Sequence, residues 1–219
     1  MKILVLSCDN HTDTFDAFHH CMEKYWRNHP EVIYKTETVT NPYYRTIMVD
    51  EPLNRWSVGA KEALSRIEDD KVLIMVDDCF IRCPVDTDRI SYALSHFMPN
   101  TACFNLEKSF DLRDTECGLE GFKKRPHGGM WEVSIMCGIW DREKLMNVLN
   151  VVGSPWDIER IQPNCGYDYY INSGDYIIDW GYRYGVYTGI TRGKWCRNMI
   201  PFFESEGIFI DWSRRGVHE

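Results

Sequence analysis

The sequence predicts an α/β protein in which a mostly parallel sheet is flanked by helices and followed by an irregular, β-rich C-terminal part. Lys71–Val76 is polar only at its first residue, and such a continuous apolar run is typical of a strand buried on both faces. Apolar runs alternate with segments of helical spacing through residue 106, which favours parallel strands joined by right-handed crossovers. The last third of the chain is dense in Tyr, Trp and Gly and contains only short β-prone stretches.

The N-terminal part begins with a strand and a helix. Lys2–Leu6 is a short apolar run with a polar end, as expected of a strand with a polar tip. Across residues 12–29, apolar side chains recur at intervals of three and four, which predicts an amphipathic helix. Val32–Tyr34 is predicted as the next strand, and a polar, β-rich connection then leads to Val49.

The middle of the chain continues the alternation of helices and strands. Trp56–Ile67 has helical spacing and leads directly into the buried strand. A helix is predicted over Asp86–Phe97 and a strand over Ala102–Leu106. Residues 107–129 are charged, contain glycine and lack a clear period, so we expect a long loop over the strand tips.

The C-terminal half begins with a predicted strand, Trp131–Trp140, and a predicted helix, Asp141–Leu149. Ser154 as N-cap and Pro155 at the first helical position then indicate a helix that continues to Arg160. The remainder is predicted to be irregular β structure that ends in a basic tail.

The composition is that of a soluble globular protein. At 219 residues and 44% hydrophobic, the chain can bury a sizeable core as one domain. No stretch approaches the ~20 apolar residues of a membrane span, and the N-terminus lacks a signal-peptide pattern. The nine cysteines are scattered without a Cys-x-x-Cys, which favours reduced thiols and a cytoplasmic location. The formal net charge of −8 argues against nucleic acid or an anionic membrane as a partner.

Two adjacent aspartates, Asp77 and Asp78, come directly after the buried strand. Ligands of open α/β sheets bind at the carboxyl ends of the strands, so these carboxylates are candidates for a binding site. Adjacent carboxylates repel each other unless a cation or a bound polyhydroxyl group lies between them, and a divalent ion carrying a diphosphate would meet that need. The alternative is an N-cap beside a solvated acid, and the residues alone leave both interpretations open.

Eight segments, in this order and at this spacing, match a known family: Val5–Asp9, Phe18–Trp26, Trp56–Ser57, Glu62–Leu64, Val72–Phe80, Pro84–Ile90, Gly138–Trp140 and Ser154–Glu159. Together they resemble a family of bacterial and phage nucleotide-sugar glycosyltransferases with the GT-A fold. The matching segments span most of the chain through Arg160, and Thr191–Trp195 matches loosely. The resemblance implies one glycosyltransferase domain over residues 1–219, with a nucleotide-binding half at 1–106 and an acceptor and catalytic half at 107–219.

The resemblance also implies a donor site for a nucleotide-diphosphate sugar, such as a UDP-sugar, over the strand tips. Asp77 and Asp78 would correspond to the family's Asp-x-Asp element, with Asp78 on a divalent ion, Mn²⁺ or Mg²⁺. Phe80 stands where that element has a second spaced aspartate, so the requirement for metal stays open. Five further residues are assigned to the donor by this resemblance or by their charge: Ser7 and Asp9 at the first strand tip, Trp56, and the basic pair Arg192 and Lys194.

The chemistry of such a transfer explains why these residue types are needed. Departure of a nucleoside diphosphate develops negative charge, which a metal on Asp78 or a clamp of Arg192 and Lys194 would stabilise. The acceptor hydroxyl must lose a proton, and Asp157 and Glu159 are the candidate bases. Acids near a helix start also complement the helix dipole, which is the structural alternative for both. The resemblance favours inversion at the transferred sugar.

The acceptor and the class of function have alternatives. The resemblance favours a surface glycan or a lipopolysaccharide precursor as acceptor. Basic and aromatic residues late in the chain also suit a phage-type enzyme that glycosylates hydroxymethylated bases in DNA, although the net charge opposes this. An inactive nucleotide-binding or sugar-binding module is a hypothesis of another class. A phosphotransferase with Asp77 as nucleophile ranks last.

Overall fold

The computed structural model describes residues 1–109, 111, 113–128, 132–161, 165–181 and 188–218. The strands in these ranges are β1 (Lys2–Leu6), β2 (Val32–Thr36), β3 (Arg45–Met48), β4 (Lys71–Val76), β5 (Thr101–Lys108), β6 (Thr115–Glu116), β7 (Phe122–Lys124), β8 (Gly138–Asp141), β9 (Asp168–Asn172), β10 (Ile190–Thr191), β11 (Lys194–Cys196) and β12 (Val217–His218). The α-helices are α1 (Phe15–Tyr25), α2 (Trp56–Ser65), α3 (Thr87–Ser95), α4 (Arg142–Val148), α5 (Pro155–Ile161) and α6 (Ile200–Glu206). Short 3₁₀ turns lie at Asp9–Thr14, Leu53–Arg55 and Arg197–Met199.

Nine of these strands form one sheet in the order β3-β2-β1-β4-β8-β5-β9-β7-β6. β1 pairs in parallel with β2 and β4, and β5 pairs in parallel with β9. β8 lies antiparallel between β4 and β5, and β7 lies antiparallel beside β9. The other seven strands run in one direction, so the predicted mostly parallel sheet is confirmed.

Helices cover both faces of the sheet, because the central strands are apolar on both sides. Along β4, Leu73 and Met75 pack into one apolar cluster, whereas Val72 and Ile74 pack into the other. The first cluster receives buried side chains from α1, α3 and α6, and the second receives them from α2, α4 and α5. This arrangement is the flanked α/β architecture that the sequence predicts.

Two predicted segments differ in the structure. The predicted loop over residues 107–129 contains the β6–β7 hairpin, which extends the sheet beyond β9. The predicted strand Trp131–Trp140 pairs with the sheet only from Gly138, where a Cβ would lie 2.6 Å from Cys103 Sγ. Residues 132–137 bury apolar side chains without joining the sheet, so their alternating pattern arises from burial rather than from strand pairing. Gly129 and Trp131, at the ends of these predicted segments, lie outside the described residues.

The C-terminal part forms a small separate sheet and one helix. β10 and β11 form an antiparallel hairpin, and β12 adds to β11 in parallel. Arg192 (φ 51°) and Gly193 (φ 74°) connect the hairpin, as the two left-handed residues of a tight two-residue turn. The helix α6, which the sequence pattern did not predict, carries a proline in its first turn and buries Phe203.

Candidate active site

The tips of β1 and β4 bring Ser7 and Asp77 together. These strands are parallel neighbours in which Leu6 pairs with Val76, so the residues that follow them meet at one edge. The Asp77 side chain is only 2% exposed and accepts hydrogen bonds from the Ser7 hydroxyl and from Thr14 Oγ1, the latter at 3.2 Å. His11 Nδ1 lies 3.0 Å from the other carboxylate oxygen of Asp77. Asp77 therefore anchors the 3₁₀ turn after β1.

Asp78 has a different environment from that of its neighbour. Its Oδ2 accepts hydrogen bonds from the Thr188 hydroxyl and from the backbone N–H of Ile190, at 3.3 Å in the second case. Its backbone carbonyl accepts from Gly189 N–H at 2.8 Å, which fastens the small C-terminal sheet to the tip of β4. Within the described part of the chain, no hydrogen bond reaches Asp78 Oδ1. Burial, together with the charge on Asp77, raises the pKa of Asp78 to about 6.

His11 is the basic group beside the two aspartates. Burial lowers the pKa of His11, but the hydrogen bond to Asp77 and the charges of Asp77 and Asp78 outweigh it, so the net pKa is raised. The charge of Arg215 acts in the opposite direction. His11 therefore lies between the carboxylates at the β4 tip and the basic C-terminal segment.

A cavity of about 390 Å³ opens next to His11 at the same sheet edge. It is lined by Cys8, Asn10, His11, Gly193, Arg214 and Arg215. The Arg215 guanidinium pairs with the Asp13 carboxylate, and the distance from Arg215 Nε to Asp13 Oδ2 is 2.7 Å. Arg214 is exposed and donates to Thr12 Oγ1 at 2.5 Å. The C-terminal segment thus closes one wall of the cavity and brings cationic side chains to it.

The other residues that the sequence assigned to the donor do not line this cavity. Both oxygens of Asp9 accept hydrogen bonds from the loop after β2, including the N–H groups of Thr38 and Val39. Trp56 is the first residue of α2 and packs, half-buried, against the second apolar cluster. Arg192 and Lys194 are exposed on the hairpin whose Gly193 reaches the cavity.

The two candidate bases on α5 have separate environments. Asp157 Oδ2 accepts from the N–H of Ser154 at 3.0 Å and from its hydroxyl, and Asp157 Oδ1 pairs with Arg160. Hydrogen bonds from Ser154 therefore lower the pKa of Asp157, which caps its own helix. Glu159 instead reaches the segment before β8, where it accepts the Ile135 N–H at 2.9 Å. Burial raises the pKa of Glu159.

Glu107 is a further acidic residue at this edge, and sequence reasoning missed it. It is the penultimate residue of β5, whose tip points the same way as that of β4. Burial raises the pKa of Glu107 to about 7; the Arg125 charge opposes this shift and the Glu159 charge adds to it. The available signal is an acid directly after the predicted strand Ala102–Leu106, although the long loop predicted over residues 107–129 includes it.

The side chains at this edge of the sheet offer few ligands to a divalent metal ion. Among the residues that the structure describes, no group of three or more His, Cys, Asp or Glu side chains is arranged to hold a metal. Both oxygens of Asp77 are hydrogen-bonded, whereas Asp78 Oδ1 is available as one ligand. Mg²⁺ is commonly bound by one or two carboxylates together with water and substrate phosphates, and Asp78 suits that mode.

Comparisons with solved structures indicate the fold. The chain is similar to residues 1–349 of S. aureus TarS in complex with UDP, with a TM-score of 0.53 and 11% identity over 80% of this chain and 58% of that one. A nucleotidyl transferase from Methanothermobacter has a TM-score of 0.47 and 14% identity, over 80% of this chain and 88% of that one. The bifunctional IspDF from Campylobacter jejuni has a TM-score of 0.42 and 11% identity, over 80% of this chain and 50% of that one.

The likeness to TarS shows the fold alone, an α/β sheet flanked by helices. No protein-family model matches the chain, and no curated protein matches it. The resemblance to a glycosyltransferase family therefore stays a prediction. Among the described residues, no helix is both long enough and apolar enough to cross a membrane.

Proposed function

We propose that this protein is a transferase that binds a nucleoside diphosphate sugar and moves the sugar to a hydroxyl group of an acceptor. The observation that carries the proposal is the cavity at the tips of β1 and β4, where cationic side chains stand beside a carboxylate. His11, Arg214 and Arg215 line the cavity or its wall, and Asp78 lies at the adjacent strand tip. Diphosphate is the part of the donor that needs positive charge around it, so it is assigned to this cavity.

The reaction requires one bond to break and one to form at the anomeric carbon of the sugar. The carbon–oxygen bond to the diphosphate breaks, and its electron pair leaves with the nucleoside diphosphate. Arg214, with the positive field of His11 and Arg215, stabilises the charge that develops there. A divalent ion held by Asp78 would supply further positive charge at the same place.

The acceptor oxygen forms the new bond to the anomeric carbon, and its proton passes to a carboxylate. Glu159 is the proposed base, because it reaches away from its own helix to the segment before β8, whereas Asp157 is held in the cap of α5. The raised pKa of Glu159 suits a group that must accept a proton near neutral pH. A base on the side opposite the leaving diphosphate corresponds to inversion at the sugar.

The experiment is incubation of the purified protein with UDP-, GDP-, CDP- and dTDP-sugars, with and without Mn²⁺, while release of nucleoside diphosphate is followed. We expect slow release from one donor, and a rate about 100-fold lower in Asp78→Asn. Asp88→Asn is the matched control, because Asp88 is an exposed acid in the first turn of α3. Absence of release from every donor, together with no rise in Tm with any nucleoside diphosphate, would overturn the proposal.

A further inference from the structure

A lysine is buried among apolar side chains close to the edge of the sheet where the cavity opens. Lys35, the fourth residue of β2, is only 1% exposed. Its partners in the sheet register are Leu6 on β1 and Ile47 on β3, and both belong to the second apolar cluster. Lysine is almost never fully buried unless it is paired, because taking an ammonium group out of water is costly. Packing of the core alone therefore does not account for Lys35.

Helix α2 leaves room for this side chain at Gly59. A Cβ on Gly59 would lie 3.3 Å from Lys35 Cε and 3.7 Å from Lys35 Nζ, so the end of the lysine lies against the backbone of the helix. Glycine is less favourable than alanine inside a helix. The unfavourable helix residue stands where the lysine passes, so two separate positions of the sequence accommodate the buried ammonium.

The Lys35 ammonium reaches a carboxylate just beyond the end of its own strand. Side chains two residues apart on a strand point to the same face, and Lys35 Nζ donates to Glu37 Oε1 at 3.0 Å. No other acceptor among the described residues bonds this ammonium. The Glu37 side chain is 22% exposed, so it lies between the apolar cluster and the sheet edge. The buried ammonium therefore fixes the orientation of a carboxylate at that edge.

Glu37 and Asp9 bind each other's backbone and so join the tips of β2 and β1. Glu37 Oε2 accepts the Asp9 N–H at 2.5 Å. In return, Asp9 Oδ1 accepts the N–H groups of Glu37 and Val39, both at 3.1 Å. Thr38 donates both its N–H and its hydroxyl to Asp9. The carboxylate of Asp9 is thus occupied by donors of the protein itself.

The Asp9 N–H belongs to the turn that lines the cavity. Cys8, Asn10 and His11 are lining residues, and Asp9 lies between the first two in the chain. The later part of the turn is held from the tip of β4 and from the C-terminal segment, by contacts with the His11 ring and with the Asn10 carbonyl. Glu37 supports the first residue of the turn. A continuous series of contacts therefore runs from the buried ammonium to the backbone of the cavity wall.

We propose that Lys35 is a positioning residue of the donor site and acts through Glu37, which fixes the cavity-lining turn at Asp9. The ligand of the cavity, a nucleoside diphosphate, rests on the proposed function, whereas the contacts that carry the inference do not. Replacing a buried ion pair with apolar side chains often leaves stability unchanged, so stability alone does not explain these charges. Their role is to keep the Asp9 N–H, and with it the cavity wall, in one position.

The first test follows backbone hydrogen exchange by NMR in the protein without ligand. Lys35→Met keeps an apolar side chain of similar length and removes the ammonium. The N–H groups of Asp9, Thr38 and Val39 should exchange about tenfold faster, because the carboxylates that accept them are no longer fixed. Exchange of the Asp168 N–H, at the start of β9 and outside this network, should stay unchanged.

A double variant shows whether Lys35 acts through Glu37. In the Glu37→Ala background, Lys35→Met should cause no further increase in exchange at Asp9, because the intermediate contact is already lost. Additive effects would overturn the proposed route, as would unchanged exchange at Asp9 in Lys35→Met or faster exchange throughout the protein. Lys123→Met is the matched control, since Lys123 is another strand lysine paired with a glutamate, at 3.2 Å, and lies on the β6–β7 hairpin.

The second test measures binding of UDP, GDP, CDP and dTDP by calorimetry. The nucleoside diphosphate that binds the wild type should bind about tenfold more weakly to Lys35→Met and to Glu37→Ala, and with unchanged affinity to Lys123→Met. A lower Tm of Lys35→Met with unchanged affinity would show a purely structural role and overturn the inference. If no nucleoside diphosphate binds the wild type, the proposed function fails, and the exchange measurements alone decide whether Lys35 holds the turn.

Discussion

Replacing Glu107 with glutamine is expected to stabilise the protein at pH 8 and to change its stability little at pH 4. Burial raises the pKa of Glu107 from 4.5 to about 7; Arg125 opposes the shift and Glu159 adds to it. The folded protein therefore holds more protons than the unfolded chain between these values. The stabilising contribution of the protonated Glu107 is complete below pH 4.5 and is lost as the pH rises through about 7.

The magnitude follows from the pKa difference. The change from 4.5 to about 7 is about 2.5 pKa units, and each unit corresponds to about 1.4 kcal/mol, so the full effect is about 3 kcal/mol. Glutamine has the shape of the neutral acid and does not ionise, so the variant avoids this loss. The other groups that act on the site are the thiols of Cys79, Cys103 and Cys137, and their burial raises their pKa values and keeps them neutral across this range.

The assay is urea unfolding of the wild type, Glu107→Gln and the exposed control Glu116→Gln at five pH values between 4 and 8. The free energy of unfolding of Glu107→Gln minus that of the wild type should grow from near zero to about 3 kcal/mol. The same difference for Glu116→Gln should stay small at every pH. A Glu107→Gln difference that does not change with pH, or a variant less stable than the wild type at pH 8, would refute the reasoning.

Three further predictions concern the cavity, the hairpin contact and the cap of α5. Arg214→Gln should weaken binding of the released nucleoside diphosphate about tenfold, because the cavity loses an exposed cation. The same loss should make binding depend less on salt concentration. Calorimetry at two salt concentrations measures both effects. Gly189→Ala should destabilise the protein by about 1–3 kcal/mol in denaturant unfolding, because the new Cβ would lie 2.5 Å from Phe80 Cε2 and 2.8 Å from the Asp78 carbonyl oxygen. An unchanged midpoint would contradict this close approach. Ser154→Ala should lower the free energy of unfolding by about 1 kcal/mol, because it removes the hydroxyl that caps α5. Thermal unfolding measures this loss. An unchanged stability would show that the reciprocal hydrogen bonds with Asp157 contribute little.

Sequence reasoning predicted well those elements whose patterns depend only on residues close together in the chain. The strands Lys2–Leu6 and Lys71–Val76 were predicted with the bounds that the structure has, because they are continuous apolar runs with polar ends. The predicted helix over residues 12–29 is shorter in the structure, where α1 covers Phe15–Tyr25 after a 3₁₀ turn. That turn forms because Asp77 binds Ser7, His11 and Thr14, which are 63 to 70 residues away in sequence.

Less of the candidate site could be predicted from the sequence. Adjacent aspartates after a buried strand pointed to the edge of the sheet where the cavity opens, but the pattern treats Asp77 and Asp78 alike. The structure separates their roles, since Asp77 is buried in hydrogen bonds and Asp78 keeps one carboxylate oxygen free of hydrogen bonds within the described chain. Arg214 and Arg215 were noted only as a basic tail. Their arrival at the cavity depends on the pairing of β12 with β11 and on the contact of Arg215 with Asp13.

The sequence by itself determined that this protein has an α/β fold with a mostly parallel sheet and an acidic strand tip. Both properties arise from local patterns, namely apolar runs, helical spacing and the polar residues that end a strand. Only the tertiary structure decided which charged groups meet. Arg215 and Asp13 are 202 residues apart in the chain, and the pairing of β12 with β11 brings the Arg215 side chain to the cavity wall. Strand order depends on the packing of the whole sheet, and a local pattern does not contain it.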